Sequence, residues 1–348
     1  MTAKTALVAG GTGIIGRRIV EHLIGAGGWN VIGLARRPRN TPKMRWIAVD
    51  LHDPADCKHK LGTLNDVTHI FYAARYDHLD GAIDSVEINA TMFSNLIVLL
   101  DSIAKLRHVH AVHGSKYYGQ HLGPLPLPLT EESPRAKSRN FYYEQEDFLR
   151  TQSRGKAWSY TTSRPNVLCD AAIDYPRSIG LVIAVYAMIQ RELGLALSFP
   201  GTTGGFQKKI PFTDTRMLAR CIDWMVREPR CANQAFNVVN GDCRCWADLW
   251  PRFASNFGIP AGGPSDFILA EYLSDKGTVW DRIVERQNLC AARLETIAMW
   301  QYGDRMFRQP WDFDSSIAKT RAYGFDEALD SSDMFAQHFA EYQATKMP

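Results

Sequence analysis

The sequence predicts an α/β protein: a Rossmann-type, doubly wound parallel sheet followed by a smaller, mostly helical C-terminal lobe. Three observations carry this. A glycine-rich turn, Gly10-Gly11-Thr12-Gly13-Ile14-Ile15-Gly16, stands between a short apolar run and an amphipathic segment. Short apolar runs then alternate with helical patterns, which implies βαβ units with ligand at the strands' C-terminal ends. The chain has 348 residues, 45% of them hydrophobic and 22% charged, an ordinary globular balance with room for one large or two modest domains.

The elements read in order. Thr5 to Val8 is the first strand, the glycine turn follows, and Ile14 to about Ile24 is the first helix. Gly25-Ala26-Gly27-Gly28 breaks it, and Val31 to Leu34 is the second strand. In such a unit the first glycine permits the sharp turn, the second lets a pyrophosphate reach the backbone, and the third lets helix and strand pack closely. The helix N-terminus adds amide donors and a positive dipole. Gly10, Thr12, Gly13, Ile14, Ile15 and Gly16 are therefore expected to hold a dinucleotide. The second strand runs into Ala35-Arg36-Arg37-Pro38-Arg39, with no acid to hold a ribose 2′-hydroxyl. Guanidinium groups suit a 2′-phosphate, so the expected cofactor is NADPH, with Arg36 and Arg37 as phosphate ligands. The competing reading is a solvated basic loop.

Trp46 to Val49 reads as the third strand, ending in Asp50-Leu51 beside the adenine. Thr68 to Ala74 is the fourth, and the small residues at its end, Ala73 included, let a ribose pass close to the backbone. Ala82 to Ala104 is a long helical pattern, His108 to His113 the fifth strand and Trp158 to Ser163 the sixth, followed by Arg164-Pro165-Asn166.

Composition excludes several classes. A net charge of +3 without a Lys or Arg run argues against a nucleic-acid surface. No apolar stretch is read as reaching the ~18 to 20 residues that span a bilayer; Leu96 to Leu100 reads as helix core. The N-terminal apolar run leads into the glycine turn rather than a cleavage site, so the expectation is a cytoplasmic protein without a membrane partner. Seven Cys stand at 57, 169, 221, 231, 243, 245 and 290, with no CxxC pair. Cys243 and Cys245 form a lone CxC, so no metal site is expected and reduced, mostly buried thiols are.

Reductases of this architecture usually carry a Tyr and a Lys four residues apart on one helix, the Tyr donating to a substrate carbonyl and the Lys lowering the Tyr pKa. Tyr272 with Lys276 and Tyr342 with Lys346 have this spacing but lie far beyond the sixth strand; without the structural context both read as coincidences. At the expected place stands Asn140-Phe141-Tyr142-Tyr143-Glu144-Gln145-Glu146-Asp147, with an acid where the Lys should be. The usual Ser is also missing: Gly114 occupies its slot in His113-Gly114-Ser115-Lys116-Tyr117-Tyr118-Gly119. Lys116, near the end of strand five, is placed to take over the missing Lys role.

With these residues the chain resembles the progesterone 5β-reductase and iridoid synthase (PRISE) group of atypical extended short-chain dehydrogenase/reductases. The group carries Gly-x-Lys after strand five and Asn-Phe-Tyr-Tyr-x-x-Glu-Asp on the next helix, which stand here as Gly114-Ser115-Lys116 and Asn140 to Asp147. Further matches are Gly13-Ile14-Ile15-Gly16, Ala35-Arg36-Arg37, Phe71-Tyr72, Ser163-Arg164-Pro165, Ala235-Phe236-Asn237-Val238 with Asn240-Gly241-Asp242, and Val279-Trp280. The resemblance implies NADPH-dependent 1,4-reduction of an enone or enal, with hydride to the β-carbon and a Tyr hydroxyl stabilising the enolate oxygen. It assigns that role to Tyr142, with Tyr143 as the fallback, and sets Lys116 against the nicotinamide ribose. Gly114, Pro165 and Val167 complete the expected cofactor contacts. A homodimer is implied by resemblance only.

Two departures stand out. Arg75 falls where the group has a bulky aromatic, and Leu122 where it has a pocket Phe. A cation at position 75 either favours a substrate with a carboxylate or points to solvent.

Residues 1–170, completed by about 206–242, are expected to form the nucleotide domain. Residues 171–205 and 243–348 should form the substrate lobe, with Trp246, Trp250, Trp280, Trp300 and Trp311 as core and pocket wall. Pro211-Phe212-Thr213-Asp214 and a helix from Arg216 to Val226 lead back to a last strand at Phe236 to Val239. Two alternatives remain: a 1,2-carbonyl reductase or sugar epimerase on the same fold, and a non-catalytic NADP(H) sensor of the NmrA-like kind.

Overall fold

The computed structural model describes residues 4–38, 44–76, 85–290 and 292–346. A seven-stranded sheet is built from β1 (Lys4–Ala9), β2 (Trp29–Ala35), β3 (Arg45–Ala48), β4 (His69–Tyr72), β5 (His108–Val112), β6 (Ser159–Pro165) and β7 (Gln234–Val238). Their spatial order is β7-β6-β5-β4-β1-β2-β3, and every neighbouring pair is parallel. The chain runs outward from β1 to β3, then crosses back to β4 and builds the other half. That reversal opens a crevice between the C-terminal ends of β1 and β4, where ligands bind in open α/β sheets.

Most strand residues are buried, on either face, because helices cover both. On one face Leu7, Ala9, Ile70, Tyr72, Val109 and Ala111 pack with Leu61 of α2 (Pro54–Leu61), Phe93, Leu96 and Leu100 of α3 (Val86–Ile103) and Leu149 of α4 (Phe141–Gln152). The alternate residues Ala6, Val8, Phe71, Phe236 and Val238 pack on the other face with Ile19 and Leu23 of α1 (Ile14–Ala26) and Leu218 and Ile222 of the helix Thr215–Arg227. This period-two division is what a half-turn per residue along a strand dictates. By length and composition α3 is apolar enough to cross a membrane, which corrects the expectation that no stretch reaches that length. Its apolar side, Phe93, Leu96, Ile97 and Leu100, packs on the sheet. Of the pattern expected from Ala82, residues 82–84 lie outside the described residues.

A third core gathers around the helix Ile179–Glu192, whose residues Ile179 to Gln190 are all buried. A helix apolar on every side must be enclosed, and Trp246, Trp250, Trp280, Trp300, Phe335 and Phe339 enclose it. Four of the five tryptophans expected in this region are thus core. Trp311 is half-buried and donates to the Gln120 carbonyl at 3.0 Å. Cys57, Cys169, Cys221 and Cys231 are buried, Cys243 and Cys245 half-buried and Cys290 exposed, all of them free thiols.

Candidate functional site

The glycine turn is shaped by contacts that leave no room for side chains. Gly10 has φ +78°, a left-handed backbone, and a Cβ there would lie 2.7 Å from the Ala74 nitrogen. A Cβ on Gly16 would lie 2.1 Å from the Gly10 carbonyl oxygen. The first glycine therefore lets the turn graze the end of β4, and the third lets α1 start directly against the turn. Gly10 and Gly11 both donate to the Leu34 carbonyl, at 3.0 and 3.1 Å, which pins the turn to β2. The result is a backbone cradle at a helix N-terminus, the right shape and polarity for a pyrophosphate.

The second wall follows from β2 and β3. Arg36 lines the same cleft; it and Arg37 are exposed, and Arg37 is not part of the lining. Arg39 lies outside the described residues. Asp50 and Leu51 line the cleft beside His52. Asp50 accepts from the His52 amide at 3.0 Å, and Asn95 donates to the Leu51 carbonyl at 3.0 Å, which fixes this corner.

The third wall is α4. Asn140 caps it by accepting from the Tyr142 amide at 3.0 Å, an exchange that satisfies an otherwise orphaned helix donor. The same side chain donates to the Lys116 carbonyl at 3.1 Å. The cap therefore ties Tyr142 to the turn carrying Lys116. Phe141 and Tyr142 are buried and line the cleft. Gly114 backs the phenol closely: a Cβ there would stand 3.2 Å from the Tyr142 hydroxyl oxygen. The missing serine therefore leaves space that the tyrosine uses. Tyr143 is occupied elsewhere. Its hydroxyl donates to the Tyr117 carbonyl at 2.5 Å and accepts from the Ala136 amide at 2.8 Å. Lys116 has an exposed side chain and does not belong to the cleft lining.

Behind Tyr142 lies a buried ionic network. Glu146, one turn further along α4, accepts from Arg164 at 2.9 Å, Arg135 at 2.6 Å and Tyr117 at 2.5 Å. Burial alone would raise its pKa, but the Arg164 charge and the hydrogen bonds from Tyr117 and Arg135 outweigh that and hold it near 2. The acids of the Asn140–Asp147 motif thus lock the helix, Glu146 inside and Asp147 on the exposed side of Arg135 at 2.7 Å.

Ten of the expected residues line one cleft of about 530 Å³: Gly10, Thr12, Gly13, Ile14, Ile15, Arg36, Asp50, Leu51, Ala73 and Tyr142. Gly16, Arg37, Gly114, Lys116, Pro165 and Val167 stand outside its lining; Gly16 and Gly114 act by yielding space, and Val167 joins the third core. Arg75 is half-buried and does line the cleft. Leu122 does not: it is exposed, in a separate apolar hollow with Pro124 and Pro126. The two displaced Tyr–Lys pairs lie elsewhere, with Tyr272 donating to Gln190 at 2.7 Å and Tyr342 to the Asp170 carbonyl at 2.9 Å.

Sequence reasoning missed His113 and Tyr175, which also line the cleft. His113 stacks on Tyr142 with centroids 4.9 Å apart. Burial holds its pKa at about 3, the nearby Glu146 only partly offsetting this, so the ring is neutral. Its signal was position: it is the residue between β5 and Gly114.

A family profile described as a PRISE-like Rossmann-fold domain matches residues 6–348. A short chain dehydrogenase of Penicillium aethiopicum is 32% identical, with 98% of each chain covered. A 3-oxo-Delta(4,5)-steroid 5-beta-reductase of Arabidopsis thaliana is 31% identical, covering 99% of this chain and 93% of its own. An (S)-8-oxocitronellyl enol synthase of Nepeta cataria is 30% identical over 98% and 91%. Among solved structures, a short-chain dehydrogenase/reductase superfamily protein from Agrobacterium tumefaciens with bound NAD superposes with TM-score 0.68 at 16% identity, covering 98% and 97%. RMD from Pseudomonas aeruginosa complexed with NADPH gives 0.66 at 13%, covering 98% and 99%. These two structures bear on the fold: that of an extended short-chain dehydrogenase/reductase.

Proposed function

Since the chain belongs to the PRISE-like Rossmann-fold family of short-chain oxidoreductases, we propose that it reduces the C=C bond of α,β-unsaturated ketones or aldehydes with NADPH. The relatives' names, a steroid 5-beta-reductase and an enol synthase, support enone reduction at the level of the family. The observation that carries the reading here is the placement of Tyr142: a phenol in the cleft, on the same cavity as the glycine cradle, with its neighbour Tyr143 bound to backbone.

The bound dinucleotide would supply the hydride that the β-carbon accepts. Gly10, Thr12 and Gly13 would hold its pyrophosphate, Arg36 with Arg37 its 2′-phosphate, and Asp50 and Leu51 its adenine end. Tyr142 would donate to the carbonyl oxygen as negative charge develops there, a preorganised donor aimed at the developing enolate. Phe141, Met92, Ile88 and Leu168 wall this cleft; apolar walls lower the local dielectric and strengthen that hydrogen bond. Lys116 would approach the nicotinamide ribose from the turn that Asn140 ties to α4.

Incubating the protein with NADPH and a panel of enones and enals tests this, with product identification. Saturated carbonyl products support the reading; allylic alcohols, or tight NADPH binding without turnover, overturn it. Two further outcomes are expected. The double substitution Arg36→Ala/Arg37→Ala should weaken NADPH about 10- to 100-fold relative to NADH, the range of a charged hydrogen bond or two, as titrated by cofactor fluorescence. Arg75→Met should raise KM for a carboxylate-bearing enal about tenfold and leave that for a neutral enal within about twofold, since Arg75 stands in the cleft as a cation.

A further inference from the structure

Arg17 is the first residue after Gly16, in the opening turn of α1, and it points backwards. Its Nε donates to the Gly13 carbonyl at 3.4 Å and its Nη2 to the Thr12 carbonyl at 3.3 Å. Its remaining nitrogen, Nη1, donates to Asp174 at 2.6 Å. Asp174 belongs to residues 170–178, which connect the strand Val167–Cys169 to the buried helix Ile179–Glu192. This connection carries Tyr175 into the cleft lining, next to Leu168.

Both ends of the connection are firmly held. Asp170 is buried and takes two hydrogen bonds from Arg18, each 2.7 Å, and another from Thr215. Pro176 accepts from the Met299 amide at 2.8 Å, and Ser178 caps the following helix. The middle, Asp174-Tyr175, is joined to the glycine turn through Arg17. The Arg17 side chain is 14% exposed and that of Asp174 40%. Breaking the pair removes the link that Arg17 makes between the middle of the connection and the turn.

We infer that the Arg17–Asp174 pair is a clasp that sets how long a dinucleotide stays in the cleft. Arg17 joins the loop expected to receive the pyrophosphate to the segment that brings Tyr175 over the same cavity. A dinucleotide lying on Thr12 and Gly13 is then enclosed between the two, and its departure requires the pair to open. Arg17 and Asp174 are positioning residues: they act through the turn and through Tyr175 and belong to the retention of cofactor rather than to hydride transfer. The inference rests on the cofactor assignment made above.

Stopped-flow release of NADPH, displaced by excess NADP+ and followed by fluorescence, tests the clasp without any substrate. Asp174→Asn and Arg17→Gln should each raise the dissociation rate about five- to tenfold with association within about twofold, because partner changes act mainly on off-rates. The double variant should release no faster than the faster single one, because both remove one interaction. Asp174→Glu should restore most of the retention. Unchanged release in both single variants, or effects that multiply in the double, would overturn the clasp while leaving the cofactor assignment intact. Failure of the unaltered protein to bind NADPH at all would overturn the cofactor assignment and the clasp with it.

Discussion

Tyr142→Phe lowers kcat for enone reduction about 10²- to 10³-fold, the range expected when one preorganised donor to a developing oxyanion is removed, and leaves NADPH affinity unchanged. The argument is geometric. The substitution deletes only the hydroxyl; the ring that stacks on His113 at 4.9 Å and packs on Phe141 at 4.4 Å is retained. The two other phenols packed against α4 and the turn before it, Tyr143 and Tyr117, are engaged elsewhere. Tyr143 is held by the Tyr117 carbonyl and the Ala136 amide, and Tyr117 is bound into the Glu146 network. Tyr143→Phe should therefore behave in the opposite way, with kcat nearly unchanged and stability lowered by about 1 to 2 kcal/mol for the lost half-buried hydrogen bonds. Steady-state kinetics with chemical denaturation of both variants separates the roles. A swap of the two phenotypes would move the donor to Tyr143. Full activity in both would remove the α4 phenols from the chemistry.

The sheet was legible because its causes are local. Glycine at 10, 13 and 16 between a strand pattern and a helix pattern admits few other arrangements, and the segments read as β1 to β6 fall within a few residues of the observed strands. The strand pairing that places Gln234–Val238 beside β6 is a long-range event, yet its apolar run was also readable. What the residue pattern alone left open was the choice between Tyr142 and Tyr143. Adjacent helix positions point about 100° apart, so spacing alone cannot say which faces the cleft. The cap at Asn140 and the Ala136 and Tyr117 backbone partners set the helix rotation, and those contacts join segments distant in space. Lys116 shows the converse. Its place after β5 was readable, but the conformation of a long exposed side chain is not fixed by its sequence neighbours. Tyr175 and Asp174 were invisible for a related reason: each acts only through what the fold brings beside it.

Acid should unfold this protein well above the pH at which its carboxylates protonate. Four histidines sit in its sheet or at its end. Burial holds His69 near 4, His108 and His113 near 3, and His110 well below its ordinary value. His108 and His110 are satisfied as neutral rings by Ser159, Thr161 and Ser163 of β6, at 2.8 to 3.1 Å. Since the folded-state values are depressed, the unfolded chain binds more protons once pH drops below about 6.5. Their stabilising contribution is complete above that pH and is lost progressively as pH falls toward the folded values near 3 to 4. Each such group steepens the loss by up to about 1.4 kcal/mol per pH unit. Four together reach about 5 kcal/mol per unit, against a total stability on the order of 5–15 kcal/mol. Depressed carboxylates such as Glu146, near 2, add to this chiefly below about pH 5, as the unfolded acid begins to protonate. Urea midpoints at pH 7.5, 6.0 and 5.0 should therefore fall steeply over the last interval, with uptake of several protons on unfolding. A flat midpoint from pH 7.5 to 5.0 would mean that these imidazoles titrate as if exposed. The packing of β5 against β6 and α4, which also seats Tyr142 on His113, would then need to be redrawn.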